Sequence, residues 1–166
     1  QGANLEGANL EGADIERVDM QRANLIGANL QKAVLKNTDL YGANLEGADL
    51  RNAYLWYACL IGTNFIDAKL QKANLNYTSL LGTNFQGANL EGAMLSKANL
   101  RGANLYDANL RGAYLGDADL RDANLGFANL SNANLIGANF HGADLTFACL
   151  IGATMDDDQK DEYGLA

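Results

Sequence analysis

The sequence predicts an all-β fold, a four-sided parallel β-helix of about 7.75 coils of 20 residues, and three observations predict it. Every position divisible by five, from Leu5 to Met155, is large and apolar, with Leu at 25 of the 31 and Ile15, Met20, Phe65, Phe85, Phe140 and Met155 at the rest. Two residues before each of these stands a small residue, Ala in 26 of 31 cases and Val18, Thr38, Thr63, Thr78 or Thr83 otherwise. At positions 2, 7, 12 and onward to 152, Gly fills 15 of 31 places and Asn or Asp seven more.

The extended element comes first. Small, polar, large is an alternation of period two, so Ala and Leu face inward and the intervening Asn or Asp faces outward. The corner follows. Gly, Asn and Asp accept the positive φ that the second central residue of a type II turn requires, so each five-residue unit is one side and one corner. A helix fails on geometry, because five residues at about 100° each would walk the Leu stripe around the axis. A flat sheet fails because the corner recurs too often.

The number of sides follows from sorting outward residues into columns. At 20 residues per coil, one column reads Asn4, Asn24, Asn44, Asn64, Asn84, Asn104, Asn124, Asp144. At 15 it reads Asn4, Asp19, Val34, Asp49, Asn64, Ser79, Met94 and has no coherence. Gly62-Thr63-Asn64-Phe65 also returns 20 residues later as Gly82-Thr83-Asn84-Phe85. Stacked at about 4.8 Å per strand, the coils make a rod about 37 Å long.

Tandem units such as Ala3-Asn4-Leu5-Glu6-Gly7 resemble the pentapeptide repeat family over residues 1–157. The resemblance implies a right-handed quadrilateral parallel β-helix, the hand that parallel crossovers generally take. Many members of that family have no assigned biochemical activity, and the role expected of this chain is a non-enzymatic structural or protein-interaction scaffold. Residues 158–166 are expected to be an acidic C-terminal tail. The segment from Asp156 onward holds five carboxylates against Lys160, which is half of the net charge of −8. It reads as a charged terminator, a recognition tail or an appended remnant.

Composition excludes several classes. There is no Pro and no basic cluster of the kind a nucleic-acid binder needs. No apolar run approaches the roughly 20 residues that cross a bilayer, so no membrane partner is expected. The single His141 has no neighbouring ligand in sequence, no phosphate loop or nucleophile elbow occurs, and neither catalytic residues, a metal nor a cofactor is expected. Cys59 and Cys149 fall on different sides several coils apart, too far for a disulfide, and suit a reducing compartment. Cytoplasm is therefore expected, or a lumenal or periplasmic space if an upstream targeting segment has been removed. Ice binding would need ranks of outward Thr, whereas Thr38, Thr63, Thr78 and Thr83 all occupy inward positions.

Two surface features remain as candidate sites. The first side carries Glu6, Glu46, Asp67, Asp107 and Asp144 with no Lys or Arg, an acidic face. Quinolone-resistance members of the family mimic DNA and occupy DNA gyrase, which makes gyrase inhibition the alternative function. Duplex DNA carries a charge per about 1.7 Å, so a mimic of this length would need roughly 20. The second feature is an aromatic and apolar cluster of Tyr54, Trp56, Tyr57, Tyr77, Met94 and Tyr114 on the third side, with Tyr41, Ile61 and Leu81 across the next corner. It reads either as self-stacking along the rod or as a patch for a protein partner. End-to-end or face-to-face association of identical copies is left open.

Overall fold

A computed structural model describes residues 1–163, with side chains described to residue 160. The part of the expected acidic tail beyond residue 163, and the side chains of Asp161 and Glu162, lie outside the described residues. The chain is a right-handed quadrilateral parallel β-helix. Each outward residue pairs in parallel with the residue 20 positions on, from Asn4 with Asn24 to Asn134 with Thr154. We number the faces by these columns: first from Asn4, second from Asn9, third from Asp14 and fourth from Asp19.

Every extended segment is one residue pair long, so its stability comes from stacking, as in solenoids generally. The Leu25 amide donates to the Asn44 carbonyl at 2.7 Å, and the Asn24 amide to the Ala3 carbonyl at 2.9 Å. Each corner is closed by a bond such as Ala28 N to Leu25 O, 3.0 Å. All 31 second corner residues have positive φ, including 16 that are not Gly. Gly, Asn and Asp therefore mark the corner without being needed at every one.

Inward residues fill the rod. Leu25 through Leu135 in the central column are fully buried, and Phe65 and Phe85 stack in adjacent coils with centroids 5.0 Å apart and planes at 4°. The four Thr point inward too and need acceptors there. Thr38, Thr63 and Thr83 donate to the carbonyls of Ile15, Leu40 and Leu60 one coil back at 2.8–3.0 Å, and Thr78 donates to Leu75 O at 2.6 Å.

Beyond Met155 the register ends. Helix α1, Asp157–Tyr163, begins inside the limit set by counting repeats. Asp156 is its N-cap, and its carboxylate accepts the Gly137 amide at 2.7 Å, while Gln159 Nε2 donates to Ala138 O. The segment is thus folded back onto the last rung by hydrogen bonds rather than acting through charge alone.

Candidate interaction faces

The four faces share one device. In all 22 cases where the outward residue is Asn or Asp, its Oδ1 accepts the amide of the residue two ahead, the first corner residue, at 2.9–3.2 Å. This explains why Asn and Asp interchange: each offers the same oxygen to an amide that the turn leaves without a backbone acceptor. Amide bonds between rungs are secondary. They join Asn24 to Asn4, Asn64 to Asn44 and Asn104 to Asn84 on the first face, in pairs rather than as a continuous ladder.

The first face keeps the device in all eight coils. Its acidic residues are tied into it. Glu6 Oε2 accepts from Asn24 Nδ2 at 3.2 Å, and Glu46 Oε2 from Asn64 Nδ2 at 3.4 Å. The Asp144 carboxylate accepts both the amide and the hydroxyl of Thr146, and the hydroxyl bond holds its pKa below the usual value. Asp67 and Asp107 stand at left-handed corner positions, exposed to solvent.

On the third face, the device fails most often. Val34, Tyr54, Met94, Tyr114 and Thr154 occupy five of its eight outward positions. The amides of Lys36, Trp56 and Gly116 find no acceptor among the described residues, and that of Ser96 turns to Asn76 Oδ1 in the coil before, at 2.9 Å.

In place of those bonds the face carries aromatic contacts. Tyr54 meets Trp56 edge-on with centroids 6.0 Å apart, and Tyr57 stacks on Tyr77 at 5.1 Å. Lys36 lies 5.7 Å above the Trp56 ring and Lys97 5.8 Å above that of Tyr77. Tyr54, Tyr57, Tyr77 and Tyr114 are exposed, whereas Trp56 and Met94 are half-buried. Tyr41 and Leu81, exposed, and Ile61, half-buried, form a separate column along the fourth corner. Tyr57 and Tyr77 also hold φ near 59°, a conformation that costs a side-chain-bearing residue roughly 1–2 kcal/mol.

The edge between the second and third faces holds an open groove of about 520 Å³. Gly92 and Gly112 form its floor, at corner positions where a Cβ on Gly112 would meet nothing. Lys72 and Gln71 stand at one end, Asn132 at the other, with Glu91 and Arg111 alongside. Gln71 Oε1 is buried and receives no hydrogen bond.

A second aromatic column escaped the sequence reading. Tyr106, Phe127 and Phe147 run along the first corner, with successive centroids 5.4 and 5.0 Å apart. Phe147 and Ile151, 76% and 77% exposed, are the most exposed large apolar residues described. Sorting corner residues in the 20-residue register would have aligned Phe127 with Phe147, whereas Tyr106, one position earlier in its corner, falls in register with Gly126.

Chemistry finds little purchase. Among the described residues no group of three or more His, Cys, Asp or Glu side chains is placed to hold a metal. Cys59 and Cys149 are free and half-buried. His141 is exposed. No described helix is long and apolar enough to cross a membrane.

These features define a repeat solenoid whose surface varies by face. The family model of pentapeptide repeats matches in overlapping copies that together cover residues 1–157, and the chain belongs to that family. Among solved structures it is similar to HetL, a pentapeptide repeat protein involved in heterocyst differentiation regulation from the cyanobacterium Nostoc sp. strain PCC 7120. The two are 31% identical over 94% of this chain and 90% of HetL, with a TM-score of 0.61. A pentapeptide repeat protein from the Arabidopsis thaliana thylakoid lumen is 36% identical over 62% of this chain and 72% of its own, also at 0.61. QnrB1, a plasmid-mediated fluoroquinolone resistance protein, is 20% identical over 99% of this chain and 84% of its own, with a TM-score of 0.43. No curated protein sequence matches the chain.

Proposed function

We propose that this chain is a non-enzymatic scaffold and that its third face is the surface on which a protein partner docks. The observation that carries this is the replacement of Asn or Asp at five of eight outward positions of one face, against none on the opposite face. A corner hydrogen bond is worth about 0.5–1.5 kcal/mol net, and the rod forgoes several of them to display Tyr and Met. A local rule broken repeatedly on one face is expected where function competes with stability. Gyrase inhibition draws no support from the charge count, since the first face carries five carboxylates where a mimic of this length would need roughly 20.

Cytoplasm is the proposed compartment, where free thiols persist. A lumenal one is the second reading, favoured by the Arabidopsis relative. The test is photo-crosslinking in native extract from a benzophenone amino acid placed at Tyr54 or Tyr114, compared with the same group at Asn44 or Asn104. Adducts from the third face alone are expected, whether to another protein or to a second copy. Equal adducts from both faces, or none from the third, would overturn the assignment.

A further inference from the structure

We propose that the third face, with the groove at Gly92 and Gly112, binds an extended acidic peptide segment that carries an aromatic or aliphatic side chain. This rests on the third face being the docking surface, and adds the chemistry of what docks there. The argument begins with charge. Between residues 31 and 117 the two edges of this face carry Lys32, Arg51, Lys72, Arg111, Lys36 and Lys97 against Glu91 and Asp117, six cations to two anions on a chain of net charge −8.

Four of those cations have neighbours already. Arg51 pairs with Asp49 at 2.6 Å, Arg111 approaches Glu91 at 3.8 Å and Lys36 approaches Glu16 at 3.7 Å, while Lys36 and Lys97 also lie over rings. Lys32 and Lys72 have no carboxylate within ion-pairing distance among the described residues. Both lie along the edge where the groove opens, and Lys72 lines it. A cationic edge of this kind in an acidic molecule favours anions locally and repels them elsewhere.

Length follows from the ends of the face. Glu11 and Asp14 close it in the first coil, where Glu16 is paired with Arg17 and Lys36, and Asp156 closes it beyond Gly137, where Asp157 is paired with Lys160. The apolar positions from Val34 to Tyr114 span four coil steps, about 19 Å at roughly 4.8 Å each. An extended chain covers that in about six residues. A longer polyanion, such as a nucleic acid, would be driven across carboxylates at both ends.

The remaining chemistry suits a peptide. Tyr54 and, beyond Asn74, Met94 and Tyr114 offer surface for an apolar side chain, and exposed Tyr gives contact area at low entropic cost. Lys72, without a carboxylate partner among the described residues, and Arg111 line the groove and can hold a carboxylate.

The probe is a fluorescein-labelled heptapeptide alternating glutamate and tyrosine, read by anisotropy against the whole chain. Its controls are the same peptide with lysine for glutamate, and labelled oligothymidine. Saturable binding of the acidic peptide alone is expected, weakening about tenfold or more when Lys72→Glu and Arg111→Glu are combined. Tyr54→Asn with Tyr114→Asn should weaken it similarly without lowering the thermal midpoint, while Glu46→Lys on the first face leaves it unchanged. Absent binding, equal binding of the lysine peptide or the oligonucleotide, or indifference to both double variants would overturn the proposal. Third-face crosslinks together with absent peptide binding would refute this inference and leave the docking surface standing. Absent third-face crosslinks would refute the surface itself.

Discussion

The first and third faces lie on opposite sides of one rod and are built from the same five-residue rule, yet only one obeys it. On the first face every outward residue is Asn or Asp and every corner amide has its acceptor. On the third face five of eight break the rule, and rings and ammonium groups stand where amides would. The inward columns beneath them stay buried alike, with Ala and Leu under the third face and Thr63, Phe65, Thr83 and Phe85 replacing them in two coils under the first. In a solenoid the interior and the corners maintain the fold while each outward column is free to specialise, at the cost of a few local hydrogen bonds.

The largest expected effects test whether the difference is confined to the surface. Phe85→Ala, beneath the first face, removes one ring of a buried stack and should cost about 3–5 kcal/mol in denaturant unfolding. Leu75→Ala, beneath the third face, should cost about 2–5 kcal/mol. A Leu75 value well under that range would mean that the interior is loose below the irregular column, and the comparison would fail.

Next in size is a reciprocal exchange. Asn44→Val removes the acceptor of the Glu46 amide and the partner of Asn64 Nδ2, so a loss of about 1–2 kcal/mol is expected. Tyr54→Asn restores an acceptor for the Trp56 amide, and a gain of about 0.5–1.5 kcal/mol is expected from the same denaturation measurement. If both changes destabilise, Tyr54 is held by packing and the third face is a structural variant rather than a specialised one.

Corners should not distinguish the faces at all. Gly47, on an edge of the first face, and Gly112, on an edge of the third, have φ of 63°, with open space where a Cβ would project. Ala at either should cost about 1 kcal/mol through backbone strain alone, and calorimetry should give matching values. A larger loss at Gly112 would show that the groove depends on more than the missing side chains.

The interior of this rod was legible in the sequence because its period is strict: the same arithmetic that found Leu5 to Met155 also found four sides and the inward Thr. Why the outward residue is Asn or Asp was not legible. The column of Asn was plain in the pattern, but the common oxygen serves the corner amide, a bond that exists only once the turn geometry is known. The Tyr54 cluster was visible as a departure from a column, whereas Phe127 and Phe147 are two of nine residues other than Gly, Asn or Asp at the second corner position, too many exceptions for either to stand out. Helix α1 was hidden by its brevity, since seven acid-rich residues give no periodic signal, and its docking depends on the partners Gly137 and Ala138.

Acid should produce the smallest effect, and it too should differ between faces. The five carboxylates of the first face form no ion pairs with Lys or Arg among the described residues. At the border of the third face, the Arg51 guanidinium holds the Asp49 carboxyl below its usual 3.8, chiefly through their hydrogen bonds. A carboxyl whose folded pKa is lowered contributes stability that is fully present above its unfolded value and is lost as pH falls through the folded one. Stability from Asp49 should therefore be constant above about pH 4 and decline below it. Asp49→Asn keeps an oxygen for the Arg51 amide but removes the ion pair. The variant is expected to lose a few tenths of a kcal/mol at pH 7, as exposed pairs do, and to show a shallower decline between about pH 4 and pH 2. Urea unfolding at a series of pH values measures both. Parallel curves for the two proteins would show that Arg51 is not held by Asp49, and would leave it with Lys32 and Lys72 among the unpaired cations of the third face.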